Sequence, residues 1–269
     1  MSNLLQGKKG LILGALDSKS IAWIVAEMCF NEGAEIVLSN APIALRKGDI
    51  QELAAKCNNC PVIAADITSL EDIEALLKST KEHFAGGIDF ILHSVGMSLN
   101  IRKKRDYTNL DYEYMKTSID ISAISFHKLL QVAYNLDVLN QEASVLALSY
   151  IAAQRVFPNY SEMAEAKAML ESIARSWGYH YGKKRDVRIN TISQSPTLTT
   201  AGSGIQGFDA FFNYAEKMSP LGNASAQDCA KYCITLFSDY TKKITMQNLY
   251  SDGGFSSVGI SDKIIDCIS

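Results

Sequence analysis

Proline is scarce in this chain, 5 residues in 269. Pro-rich linkers and long disordered tracts are excluded on that count. No stretch approaches the ~18 consecutive apolar residues of a membrane-crossing helix. Met1–Gly10 holds no apolar run of signal-peptide length. A cytoplasmic location with no membrane partner is therefore expected. The sequons at Asn159 and Asn223 are read as chance matches. Neither charge sign dominates: 26 Lys and Arg face 29 Asp and Glu, a net charge of -3. That excludes a uniformly basic nucleic-acid binder and a polyacidic tail. With 17 Gly, collagen-like architecture is excluded as well. A second C-x-x-C to match Cys57–Cys60 is missing, so a zinc ribbon is not expected. The six cysteines are read as reduced, mostly apolar filler, with no metal site.

What is present is an alternation. Short apolar runs read as strands at Lys9–Gly14, Glu35–Ser39, Val62–Ala65, Ile88–His93, Ser144–Ser149, Val187–Ile192 and Gln247–Ser251. Such runs suit strands buried on both faces. Helical patterns lie between them at Ser20–Asn31, Leu70–Phe84, Asp111–Leu139, Tyr160–Tyr181 and Ala226–Phe237. The alternation predicts one α/β domain over residues 1–269. It is a Rossmann-like, doubly wound parallel sheet of about seven strands with helices on both faces. Ligands of such sheets bind at the carboxyl ends of the strands.

The first strand exits through Gly14, and Ser20 is placed to cap the next helix, followed by Ile21. A phosphate there would meet free N–H groups and a positive dipole end. A Gly and a capping Ser also occur in most strand–helix turns, and no G-x-G-x-x-G is present. The second strand ends without the acidic residue that often holds an adenosine ribose. Arg46 and Lys47 follow, and they also fit a solvated helix turn. Asp66 with Ile67 can face an adenine ring, and Asp66 fits a turn cap equally well. The fourth strand ends in His93-Ser94-Val95-Gly96-Met97, where Gly96 lets a ligand approach the backbone. His93 reads as a core or supporting residue, and His127 and His180 as helical residues without obvious partners.

The fifth strand ends at Ser149-Tyr150. Tyr160 and Lys167 follow at Tyr-x6-Lys spacing, two helical turns apart and so on one face. A phenol that donates to a developing oxyanion and an ammonium that holds ribose hydroxyls would make a reducing site. A buried tyrosine and a snorkelling lysine fit the same spacing. Tyr179 and Lys183 form a competing Tyr-x3-Lys pair, placed at the wrong edge of the sheet. Gly182 beside them reads as a helix terminus.

With these motifs assembled, the chain resembles enoyl-[acyl-carrier-protein] reductases of the bacterial and plastid type. These are a divergent branch of the short-chain dehydrogenase/reductases. The resemblance runs from about Gly7 to Gly259. It rests on Gly14 with Ser20-Ile21-Ala22, His93-Ser94-Val95-Gly96, Asp120-Ile121-Ser122, Ser149-Tyr150, Pro158-Asn159-Tyr160 with Lys167, Ser195-Pro196-Thr197, and Asp252-Gly253-Gly254-Phe255. It implies that Tyr150, Tyr160 and Lys167 are catalytic. Gly14, Ser20, Ile21, Asp66, Ile67, Ser94, Val95, Gly96, Lys167 and Pro196-Thr197-Leu198-Thr199-Thr200-Ala201 would hold the dinucleotide. Met97, Ser98, Met163 and Phe208, with both tyrosines, would line the acyl pocket. A substrate lid would span about residues 195–217.

The implied cofactor is NADH, with NADPH left open. The implied partners are an acyl carrier protein and three further copies in a homotetramer, packed through the two long helices. Ser195 stands where Gly is common in relatives, a minor backbone matter. Arg102-Lys103-Lys104-Arg105 is a cationic tetrad on the substrate side, suited to an acidic carrier protein or simply a solvated loop. It lacks the aromatic interleaving of a nucleic-acid surface. Alternative readings are a ketoreductase-like relative and a non-catalytic nucleotide sensor.

Overall fold

The computed structural model describes residues 3–46, 48–199 and 207–268. Among these, seven strands form one sheet in the order β3-β2-β1-β4-β5-β6-β7. They are β1 Lys9–Leu13, β2 Glu35–Asn40, β3 Val62–Ala64, β4 Ile88–His93, β5 Leu139–Ser149, β6 Arg188–Gln194 and β7 Asn248–Ser251. Every pairing is parallel. The expected fold class is what is observed. β1, β2, β4, β5 and β6 are largely buried, as apolar runs require. The edge strands β3 and β7 are half exposed, because each lacks a neighbour on one side.

Helices cover both faces. The principal ones are α1 Ile21–Asn31, α4 Leu70–His83, α6 Tyr112–Ile119, α7 Ser125–Leu136, α8 Met163–Arg185, α9 Phe208–Met218 and α10 Ala226–Phe237. Four short ones complete the order: α2 Pro42–Leu45, α3 Ile50–Lys56, α5 Leu99–Arg102 and α11 Asp262–Ile268. One apolar layer sets α1 and α10 against the sheet, with Trp23, Phe90 and Phe237 at its centre. The other sets α4, α7 and α8 against the opposite face. No helix among the described residues is long and apolar enough to cross a membrane.

Three boundaries depart from the sequence pattern. The predicted helix over Asp111–Leu139 is α6, a π-helical segment at Asp120–Ile124, and α7. Asp137 closes α7 in the left-handed conformation, and Leu139 already belongs to β5. The predicted helix over Tyr160–Tyr181 starts later: Tyr160 sits in a 3-10 turn, Pro158–Tyr160, and α8 begins at Met163. Gly182 does not end α8, which continues to Arg185 with Asp186 as its left-handed cap.

Candidate active site

The strand order reverses between β1 and β4, and the crevice at their carboxyl ends is where a doubly wound sheet takes a ligand. Gly14 leaves β1 with φ 97°, and a Cβ there would lie 2.1 Å from the Ser94 carbonyl oxygen. Only glycine lets the two strand ends come this close. Ser20 caps α1: its Oγ accepts from the Trp23 and Leu16 N–H groups, each at 3.3 Å. The remaining first-turn N–H groups of α1 have no intrahelical acceptor. Ile21 and Ile67 are buried. Asp66 behaves as a turn cap, accepting from Thr68 N at 2.9 Å and Thr68 Oγ1 at 2.7 Å. Arg46 ends the short α2 and does not open a helix. Lys47 lies outside the described residues.

The β4 exit is braced from the π-helical segment. Ser122 Oγ accepts from Met97 N at 3.0 Å and donates to Met97 O at 3.1 Å. It also lies 3.6 Å from Met163 Sδ. The wide π turn re-aims this hydroxyl at the loop. Gly96 is open, and a Cβ on it would stand 3.8 Å from Lys167 Nζ and 3.6 Å from Met163 Cε. His93 is a core residue as read: Nε2 meets Ser125 Oγ at 2.9 Å, and burial with the nearby Lys167 charge lowers its pKa to about 3. His127 and His180 do have partners, since both pack edge-on against Trp177.

Tyr150 and Tyr160 meet beyond β5, and Lys167 binds the backbone two residues before Tyr150. The tyrosine rings are 5.1 Å apart between centroids. Tyr150 is buried and its hydroxyl is without a hydrogen-bond partner among the described residues. Burial raises both phenol pKa values, so both stay protonated at neutral pH. Lys167 is only 7% exposed and donates to Leu148 O at 2.7 Å. Burial lowers its pKa to about 8, opposed by the Glu171 carboxylate. Glu171 in turn accepts from Ser149 Oγ at 2.7 Å, which anchors the strand end that carries Tyr150. The competing Tyr179–Lys183 pair sits in the last turns of α8, with Lys183 Nζ 5.2 Å from an exposed phenol ring.

Over the tyrosines lies α9. Phe211 packs on Tyr150 at 5.9 Å and on Phe157 at 4.8 Å, and Phe157 packs on Tyr150 at 5.5 Å. Neither phenylalanine stands out in the sequence; Phe157 adjoins Pro158-Asn159-Tyr160, and Phe211 adjoins none of the motifs. Phe208 is buried at the start of the same helix. Ser98 is buried too, but its hydroxyl is directed at Glu162 and not at the tyrosines. At the β6 exit, Pro196 is buried, Thr197 Oγ1 donates to Ser195 O at 3.0 Å, and Leu198 is 61% exposed. Ser195 does more than its backbone role, accepting from Ala224 N at 2.8 Å. Thr199 N donates to Thr197 O at 2.8 Å. Thr200 and Ala201, with Gly202, Ser203 and Gly204 of the expected lid, lie outside the described residues.

A glycine-opened crevice at the switch point, with a Tyr–Lys pair at the next strand end, fits a dinucleotide reductase of the short-chain dehydrogenase/reductase kind. The model of a family described as "Enoyl-(Acyl carrier protein) reductase" matches residues 14–256. A structure of an Alistipes finegoldii FabI–NADH complex superposes with a TM-score of 0.96 at 61% identity, covering 97% of this chain and 92% of that one. An NADH-dependent enoyl-[acyl-carrier-protein] reductase of Rhizobium meliloti is 32% identical over 95% of this chain and 94% of its own. The Bacillus cereus enoyl-acyl carrier protein reductase, solved with NADP+ and an indole naphthyridinone, gives a TM-score of 0.89 at 26% identity, covering 96% and 99%. The chain belongs to the enoyl-[acyl-carrier-protein] reductase family.

Proposed function

We propose that this chain reduces the trans-2 double bond of enoyl thioesters carried on acyl carrier protein, using NADH, as the last step of fatty acid elongation. The observation that carries the reading is Tyr160 packed against Tyr150, whose hydroxyl has no partner among the described residues, with Lys167 bound to the Leu148 carbonyl two residues before Tyr150 and close to Gly96 at the β4 exit. The residues around that crevice suit a dinucleotide. Gly14 lets the β1 and β4 ends approach each other, Gly96 leaves its backbone exposed, Ser20 caps α1 at the crevice, and Ser94, Val95 and Pro196–Thr199 would wall the space.

The bound nicotinamide supplies the hydride that C3 of the enoyl group accepts. Negative charge then moves to the thioester carbonyl oxygen as an enolate. Tyr160, kept protonated by burial, donates to that oxygen. Tyr150 brings a hydroxyl that has no competing partner among the described residues. Lys167 keeps a positive potential beside the developing charge and binds ribose hydroxyls. Its pKa of about 8 leaves it mostly protonated at pH 7. Protonation at C2 completes the reaction. Phe157, Phe208 and Phe211 give the acyl chain an apolar wall.

The carrier protein is expected at Arg102–Arg105. All four side chains are exposed, and among the described residues only Arg105 is drawn off, 3.8 Å from Asp111. A homotetramer in the cytoplasm is part of the same reading. A shallow groove of about 290 Å³ between α7 and α8, lined by His127, Tyr134, Ser176, Trp177 and His180, is the face on which copies would pack.

The test is NADH oxidation with crotonyl thioester and, separately, acetoacetyl thioester. Turnover of the first is expected. Turnover of the second alone would reassign the chain as a ketoreductase, and turnover of neither would leave a nucleotide sensor.

A further inference from the structure

Glu162 is 0% exposed, yet the chemistry above makes no use of it. It stands between Tyr160 and Met163, at the entry to α8. Its Oε1 accepts from Ser98 Oγ at 2.8 Å and its Oε2 from Ser161 Oγ at 2.5 Å. Ser118 borders the same carboxylate while donating to Tyr114 O at 2.7 Å. These hydroxyls come from three separate places: the loop after β4, helix α6, and the turn that carries Tyr160. Ser98 Oγ also accepts from Ile101 N at 2.9 Å, so the loop is itself held by α5. Among the described residues no cation pairs with Glu162.

Two costs are concentrated here. A buried carboxylate without a counter-cation is expensive even when hydrogen-bonded. Burial pushes its pKa up, and the surrounding hydroxyls more than offset this, so the group stays ionised. The second cost is in the backbone. Ser161 has φ 51° and ψ -147°, a region that a residue with a side chain occupies at about 1–3 kcal/mol. Such strain survives only where its surroundings over-determine it. Charge-assisted bonds, about twice as strong as neutral ones, provide that determination.

We propose that Glu162 is a positioning residue for the reaction: its carboxylate bolts the Tyr160 turn to the Val95–Ser98 loop and so sets where the Tyr160 hydroxyl meets the substrate oxygen. The inference rests on Tyr160 being the group that contacts that oxygen. A displacement of about 1 Å at such a group costs up to ~100-fold in rate.

The experiment is a double-mutant cycle on the full-length protein with a short enoyl thioester, together with NADH titration by fluorescence. Glu162→Gln should lower kcat about tenfold or more while KM and NADH affinity stay within about threefold. In the Tyr160→Phe background the same change should lower kcat by less than about twofold. Equal losses in both backgrounds would overturn the positioning role, since Glu162 would then act by another route. Full activity of Tyr160→Phe itself would remove the premise, which is a different and recognisable failure. Ser161→Gly guards against misfolding of the first variant. It relieves the strained backbone and removes one donor, so Tm should hold within a few degrees while kcat falls. Wild-type kcat in Ser161→Gly would also overturn the proposal.

Discussion

A single methyl group at Gly14 should separate the β1 and β4 ends. Its φ of 97° is a conformation that L side chains rarely adopt, so alanine there is strained before anything else moves. The added Cβ would also lie 2.1 Å from the Ser94 carbonyl oxygen and 2.8 Å from its carbon. Those are backbone atoms and cannot rotate away. Relief must come from parting the strand ends, where Gly14 N binds Ser39 O at 3.0 Å and Ser94 N binds Leu13 O at 3.2 Å. Strain and displacement together give a loss of about 3 kcal/mol. Unfolding entropy of about 2.1 cal/mol/K per residue, over 269 residues, is about 0.56 kcal/mol/K. Tm should therefore fall by about 5 °C.

Gly7 is the internal control. It has φ 74° but nothing within 4 Å of a Cβ. Gly7→Ala should cost about 1 kcal/mol, or about 2 °C. Calorimetry measures both variants, and NADH titration adds the functional arm. If Ser94 walls the cofactor as proposed, Gly14→Ala should weaken NADH binding by displacing it; Gly7→Ala should leave it unchanged. Equal Tm losses for the two variants, or full NADH affinity in Gly14→Ala, would refute the reasoning.

Tyr160→Phe should reduce kcat by about 100-fold or more with NADH affinity retained, as loss of an oxyanion donor does; a small change would move the donor role to Tyr150. Dinucleotide affinity should decline as pH rises through about 8, where Lys167 loses its proton, and Lys167→Met should abolish that dependence in a binding titration. Stability runs the other way. Between about pH 8 and the ordinary lysine value of 10.5 the unfolded chain holds the extra proton, so Lys167 makes stability rise with pH. Denaturant melts of the wild type and Lys167→Met across that window check the sign. Reversing Arg102 and Lys103 to Glu should raise KM for a carrier-linked enoyl substrate and not for a short free thioester; equal effects on both would rule out docking there.

Much of the fold was legible because buried parallel strands are apolar throughout. All seven runs, from Lys9–Gly14 to Gln247–Ser251, fall on observed strands with end shifts of up to five residues. The largest shift is at β5, which starts at Leu139 because its first residues pair with Ile88 across an irregular register. The site was legible in part. Ser20 could be read as a cap because capping is local, a hydroxyl reaching N–H groups one turn away. The role of Ser122 could not, since a π segment inside a helical pattern has the same composition as the helix around it.

By itself the sequence determined the layered α/β architecture, the parallel order of its elements and the family. These follow from periodicity and from motifs read along the chain. Only the tertiary structure decided how the chemistry is held. Tyr160 and Lys167 do not share a helix face; Tyr160 stands in a separate turn, joined to α8 through a strained Ser161. The carboxylate that ties down this turn takes its hydroxyls from Ser98 and Ser161, 63 positions apart. Phe211 reaches Tyr150 across a comparable gap. Such contacts depend on where helices and loops come to rest against the sheet. That is set by packing over the whole domain, and no local pattern of residue types encodes it.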